Sequence, residues 1–226
     1  MRTCITLPNL EEPAEMSPFH DDCMPHLEGL VRLFLEEYTH PRDVVFDPFA
    51  GTGVVMRVAE RMGRIPFGLD SDRQLVERTR SRMNHVYNII HGDPRKLTSF
   101  GLPTIDFSFT APPYSHLDIP KSPFPNSTSQ QAGYLRYLSE LQVIYQQMAT
   151  LMRPGAVAVI EASNVRTPAG MTPFAWDIGI MVSEALQFEG EVIVNWEPSY
   201  GYGYDHSYCL IFRKRMDAKE KSSIPA

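Results

Sequence analysis

Cysteine is scarce in this chain: Cys4, Cys23 and Cys209 stand far apart among 226 residues. No CxxC pair or Cys/His spacing occurs, which argues against a zinc ribbon or a disulfide framework and leaves ordinary reduced thiols as the expectation. Positive charge is scarce too. The 21 Lys and Arg are outnumbered by 27 Asp and Glu, for a net charge of −6. That counts against a broad electrostatic footprint on nucleic acid, though a local basic patch stays open. Apolar runs are short, and none approaches the roughly 18 residues of a membrane span. The opening MRTCITLPNLEEPAEM carries acids and prolines where a secretory leader needs an apolar core, so the expected compartment is the cytoplasm. No GxxxxGK[ST] string is present, which argues against a nucleoside triphosphate. His26, His85, His91, His116 and His206 do not fall at metal-ligand spacing, and no metal is expected.

What is present is a 43% hydrophobic chain, enough for one good-sized core. Residues 1–23 read as an extended arm rich in Pro, Glu and Asp. MPHLEGLVRLFLEEY then sets Leu27, Leu30, Val31, Phe34 and Leu35 on one helical face. Three short runs follow, VVFD, IPFGLD and YNIIHGD, each a strand ending in an acid. Helices separate them: VVMRVAERMG, with Gly63 as its C-terminal cap, and SDRQLVERTRSRMNHV, with Ser71 as its N-terminal cap. IDFSFT is a fourth strand, and a Pro-, Ser- and Asn-dense loop follows at 115–133. A long amphipathic helix leads to the strand AVAVIEAS, and the helix PFAWDIGIMVSEALQF comes next. GEVIVNWE and HSYCLIFRK close the order around the loop PSYGYGYD. Alternation of this kind implies an α/β, Rossmann-like, seven-stranded sheet, mostly parallel, with an antiparallel terminal strand. The expected organisation is the arm at 1–23, one catalytic domain at 24–215 with no separate target-recognition domain, and a tail at 216–226.

Two constellations carry chemistry. FDPFAGTGVV follows the first of these strands and opens a helix, the place where doubly wound sheets bind ligands. Gly51 and Gly53 permit a tight turn and close approach of backbone to a ligand. Asp47, Pro48, Phe49, Ala50, Gly51, Thr52 and Gly53 are therefore candidate cofactor residues, with Asp47 placed to accept from an ammonium group. Met56 stands where a GxGxxG fingerprint would have its third glycine. Asp70 ends the second strand, where an acid takes ribose hydroxyls, and Asp93 could accept from an adenine amino group. The plainer reading of all three acids is that they cap helices and turns. The second constellation is Ala111, Pro112, Pro113 and Tyr114, a stiff corner at the end of the fourth strand. Two prolines fix φ and hold backbone carbonyls in place.

DPFAGTG followed by APPY resembles the S-adenosylmethionine-dependent amino-methyltransferases of nucleobases, such as the DNA N6-adenine and N4-cytosine methylases. LMRPGAVAVIEASN and HSYCLIFRK are similar to later elements of that family, so the resemblance spans most of the chain. It implies the class I methyltransferase fold, S-adenosyl-L-methionine as cofactor, and transfer of a methyl group to an exocyclic amine. The expected partner is nucleic acid, DNA ahead of RNA, met as a homodimer or beside a partner subunit. Having the cofactor motif before the catalytic motif suits some DNA adenine methylases and also RNA guanine-N2 methylases. In the family the residue before the prolines is Asp, Asn or Ser, which supplies an acceptor to the target amine. Ala111 offers only its carbonyl, and strand alternation turns Thr110 to the opposite face. Either an outside group such as His116 or Asp118 compensates, or the chain is a weak or inactive binding subunit. Base contacts would come from Tyr200, Tyr202 and Tyr204, and phosphate contacts from Lys121 or from Arg73, Arg78, Arg80 and Arg82.

Overall fold

Apolar runs too short for helices and bounded by acids become inner strands of a sheet covered on both faces. The computed structural model describes residues 3–8, 25–113, 130–167, 170–197 and 206–216. Its strands are β1 (Cys4–Pro8), β2 (Val44–Asp47), β3 (Ile65–Asp70), β4 (Ile89–His91), β5 (Ile105–Thr110), β6 (Met152–Ala162), β7 (Val165–Thr167), β8 (Gly170–Thr172), β9 (Gln187–Glu197) and β10 (His206–Arg213). Its helices are α1 (Pro25–Tyr38), α2 (Val54–Arg61), α3 (Arg73–Arg80), α4 (Gln130–Leu151) and α5 (Phe174–Ser183). β7 and β8 form a separate two-stranded hairpin.

The main sheet has eight strands in the order β1-β9-β10-β6-β5-β2-β3-β4. β10 runs antiparallel to both β6 and β9, and the remaining pairs are parallel. The antiparallel strand thus lies inside the sheet, and the eighth strand, β1, is one more than the sequence reading counts. β1 comes from the segment expected to be an arm. Ile5 and Leu7 pack toward the buried side of β9 while their neighbours are exposed, and Pro8 sits at the end of an edge strand, where a missing N–H is tolerated.

Each face of the sheet carries its own core. On one, Leu30, Val31, Phe34 and Leu35 of α1 and Val55, Val58 and Ala59 of α2 meet Phe107, Phe109, Val159, Val194 and Trp196. On the other, Tyr137, Leu141, Ile144 and Met148 of α4 and Phe174, Ile178 and Val182 of α5 meet Phe46, Ile105, Ile160 and Leu210. This division fixes which way every strand residue near the carboxyl edge points. Among the described residues, no helix is long and apolar enough to cross a membrane. One cap differs from expectation: Asp72, not Ser71, caps α3, its carboxylate accepting from the Gln74 and Leu75 amides. Gly63 does end α2, at φ 75°, with its amide on the Glu60 carbonyl.

Candidate active site

β2 and β5 are neighbours whose onward connections run to opposite sides, to β3 and to β6, which opens a crevice at their carboxyl ends. Asp47 occupies the end of β2 and is only 3% exposed. Its Oδ1 accepts from the Phe49 amide at 2.9 Å and from the Thr110 hydroxyl at 2.7 Å. The second bond crosses the crevice from β5 to β2. Thr110 does point away from the side Ala111 shares with Phe109, and its role is to orient Asp47. Both bonds end on Oδ1, and among the described residues Oδ2 has no such partner and can face a ligand. Burial pushes the Asp47 carboxyl up to about 7, and the two hydrogen bonds and nearby Asp70 modify that only partly.

The loop after Asp47 is held at several points. The Ala50 amide donates to the Leu69 carbonyl at 2.9 Å, and the Gly51 amide donates to Asp70 Oδ2 at 2.7 Å. Asp70 Oδ1 accepts from the Asp72 amide at 2.8 Å. Burial holds the Asp70 carboxyl above its ordinary range. The Arg57 guanidinium donates to the Thr52 carbonyl and lies 3.8 Å from Glu28 of α1, so the first helix and the loop are tied together. The two glycines serve different ends. Among the described residues, a Cβ on Gly51 would meet only the Phe49 carbonyl oxygen, at 3.8 Å. One on Gly53 would lie 2.4 Å from Cγ2 of buried Thr79, whose hydroxyl donates to the Gly51 carbonyl at 3.2 Å. Gly53 therefore answers to helix packing and to its left-handed φ of 76°, rather than to ligand space. Met56 is accommodated because β3 carries Gly68 beneath it, where a Cβ would come 2.3 Å from its sulfur.

Asp93 is more heavily committed than its position suggested. It caps a short turn through the Arg95 amide, and both its oxygens hold the Arg95 guanidinium, at 2.8–3.1 Å. Arg95 holds its carboxyl below the usual range and reaches on to Glu140 of α4 at 2.9 Å.

At the corner, Ala111 and Pro113 are half-buried and Pro112 is buried. The Tyr137 hydroxyl donates to the Pro113 carbonyl at 2.8 Å, and its ring stacks on Phe174 at 5.9 Å. Tyr137 and Thr110 are the two partners that motif reading passed over, because their bonds join residues 24 and 63 positions apart. Tyr114, His116, Asp118, Lys121 and the tyrosines at 200, 202 and 204 lie outside the described residues. Arg73, Arg80 and Arg82 are exposed on and just after α3, while Arg80 also donates to the Ile89 carbonyl at 2.9 Å.

Residues 6–81 match the DNA methylase family model, a segment that contains the Asp47 loop and Asp70 but not the proline corner. TrmN from Thermus thermophilus superposes with a TM-score of 0.61 at 14% identity, over 85% of this chain and 49% of that one. A SAM-dependent methyltransferase from Methanosarcina mazei superposes at 0.58 with 11% identity, over 81% and 98%. The chain has the class I methyltransferase fold. A tRNA (guanine(10)-N2)-dimethyltransferase of Methanothermobacter thermautotrophicus is 33% identical over 106 residues, which is 45% of this methyltransferase-fold chain and 28% of that protein. S-adenosylmethionine is the cofactor expected of this fold. The residues fit it: Gly51, Asp47 with its Oδ2, and Asp70 stand together at the carboxyl ends of β2 and β3, and the Gly51 amide on Asp70 joins them.

Proposed function

We propose that this chain transfers a methyl group to the exocyclic amino group of a nucleobase in a polynucleotide. The observation that carries the proposal is the Thr110–Asp47 hydrogen bond, which joins the cofactor loop to the proline corner in one rigid crevice. When bound, S-adenosylmethionine supplies an electrophilic methyl group. Asp47 would take its ammonium, Asp70 its ribose hydroxyls, and the loop 48–53 would close over its backbone-facing side. The corner's part is positional. An aromatic amine's lone pair is delocalised into the ring, and acceptors on its two protons make the nitrogen more nucleophilic. Fixed carbonyls at the corner supply such acceptors without reorganisation. Tyr137 holds the Pro113 carbonyl and so aims the corner; Tyr114 would stack on an extruded base.

DNA is the first reading of the polymer, supported by the family match over 6–81. RNA is the second, favoured by the relative named for guanine-N2 methylation of tRNA. One experiment separates them. Purified protein is incubated with methyl-labelled cofactor and pools of duplex DNA, single-stranded DNA and total RNA. Each pool is digested and its nucleosides resolved by mass. Labelled N4-methylcytosine or N6-methyladenine from DNA supports the first reading, and labelled N2-methylguanine from RNA the second. Asp47→Ala and Pro112→Ala should each abolish the label. Full activity in both variants would sink the assignment of the site.

A further inference from the structure

A target amine presents two protons, and the corner supplies side-chain acceptors for neither, because residue 111 is alanine. The neighbouring strand carries the missing group. β5 and β6 pair in parallel with Phe107 opposite Val157, Phe109 opposite Val159 and Thr110 opposite Ile160. One further step sets Ala111 level with Glu161. In parallel pairing, level residues share a face, and the core confirms which. Phe107, Phe109, Val157 and Val159 all pack on the α1 side, as does Cys209, the β10 partner of Glu161. Glu161 therefore lies on the same side as Ala111, one strand spacing away, about 4.8 Å. A side chain with two methylenes spans that gap over an alanine methyl.

Glu161 is otherwise hard to explain. It is 1% exposed at the carboxyl end of β6, and among the described residues no cation pairs with it. Among the described residues its partner is the Ser207 hydroxyl, which in turn accepts from the Trp196 indole N–H at 3.0 Å. That leaves Oε1 buried with no partner among the described residues. An orphaned buried carboxylate oxygen is costly, and a catalytic role is one of the recognised reasons a fold keeps one.

We infer that Glu161 is a catalytic residue whose Oε1 accepts a hydrogen bond from the target amino group in place of a polar side chain at position 111. This rests on the amino-methyltransferase reading above. As the nitrogen lone pair forms the new N–C bond, the electron pair of the broken C–S bond stays on sulfur and the proton shed by nitrogen passes to Glu161. The Trp196–Ser207 chain holds the other oxygen, fixing the carboxylate's orientation. Alanine at 111 then has a reason: a carboxylate there would face Glu161 at close range, and like charges so placed disfavour each other.

The test moves the carboxylate between strands. Turnover is measured on the nucleic-acid pool that the wild type labels, and cofactor affinity by calorimetry. Glu161→Ala and the isosteric Glu161→Gln should lower kcat about 100-fold or more, the scale of losing one preorganised polar group, with cofactor affinity unchanged. Ala111→Asp alone should not raise activity, but Ala111→Asp with Glu161→Ala should regain about tenfold or more over Glu161→Ala. In cofactor-free protein, a short single-stranded oligomer of the base the wild type labels should shift the Glu161 side-chain carboxyl carbon signal. Wild-type kcat in both single variants, or no gain in the double variant, overturns the inference while leaving the methyltransferase reading intact. A wild type that binds cofactor yet labels no nucleoside overturns both.

Discussion

The cofactor loop and the proline corner are built by opposite means. At the loop, neighbours in sequence make the site: Asp47 accepts from Phe49 two positions on, and Gly51 meets Asp70 nineteen positions on, within one β-α-β unit. At the corner, almost nothing is local. Thr110 serves Asp47, Tyr137 holds the Pro113 carbonyl, and Glu161 follows Ile160, the β6 residue paired with Thr110. A local site keeps its signature in a short string. A site assembled across strands can exchange its polar groups among positions while its motif looks damaged.

The sharpest way to probe the loop is through Asp47, whose carboxyl burial holds near 7 against an ordinary 3.8. A bound ammonium selects the ionised form. Cofactor affinity should therefore be constant above about pH 7.5 and weaken below 7, approaching tenfold per pH unit, as calorimetry between pH 5.5 and 8.5 would show. Asp47→Asn should be weaker by roughly 10- to 150-fold at pH 8, the scale of about 1.5–3 kcal/mol for a charged hydrogen bond, and nearly flat with pH. Stability runs the other way. A raised acid binds more protons folded than unfolded between its ordinary value and 7, so its contribution falls as pH rises through that window and is constant above it. Urea titrations of cofactor-free protein should show a shallower decline from pH 4.5 to 7 in Asp47→Asn than in the wild type. Equal slopes would mean that Asp47 is not buried as described.

The two glycines divide the loop further. Gly53→Ala forces a Cβ into Thr79 and keeps a left-handed φ, so it should cost about 2–3 kcal/mol and lower Tm by roughly 5–10 °C. Gly51→Ala meets open space, and its φ of 51° costs only about 1 kcal/mol. Its loss should appear instead in cofactor affinity. The reverse pattern would exchange their roles.

This contrast also explains what could be read from the sequence. β2 and β3 were legible because a short apolar run ends at an acid, and DPFAGTG was legible because its bonds are short-range. β1 was not, since CITLP shows its alternation only against β9, nearly two hundred residues away. Gly53's purpose was hidden because Thr79 reaches it from the next helix. Met56 looked like a defect in a fingerprint until Gly68 was seen to make room for it. At the corner, Ala111 read as a loss because a string cannot show that β6, with Glu161 after Ile160, runs beside β5. Tyr137→Phe tests that part at smaller scale. It removes the bond to the Pro113 carbonyl and leaves the ring stacked on Phe174. Stability should fall by about 1 kcal/mol, and kcat should drop several-fold with KM little changed, because the corner loses its aim rather than its affinity.

The smallest effect is expected at Asp93, the acid whose assignment to the adenine amino group sits least easily with its geometry. Both oxygens already hold Arg95, and through Arg95 they brace the turn after β4 against Glu140 on α4. The pair is partly exposed, so its worth is modest, on the order of 1 kcal/mol. Asp93→Asn keeps an oxygen for the Arg95 amide and loses the charge pairing. Cofactor affinity should change by less than about threefold, since 1 kcal/mol of local bracing reaches the ligand only indirectly. Arg95→Met, which frees the carboxylate, should leave affinity equally undisturbed. If Asp93→Asn instead weakens the cofactor tenfold while Arg95→Met does not, the carboxylate's spare lone pairs are reaching the adenine. In that case the loop and β4 together form the cofactor site, and the division between a local site and an assembled one would have to be drawn further along the sheet.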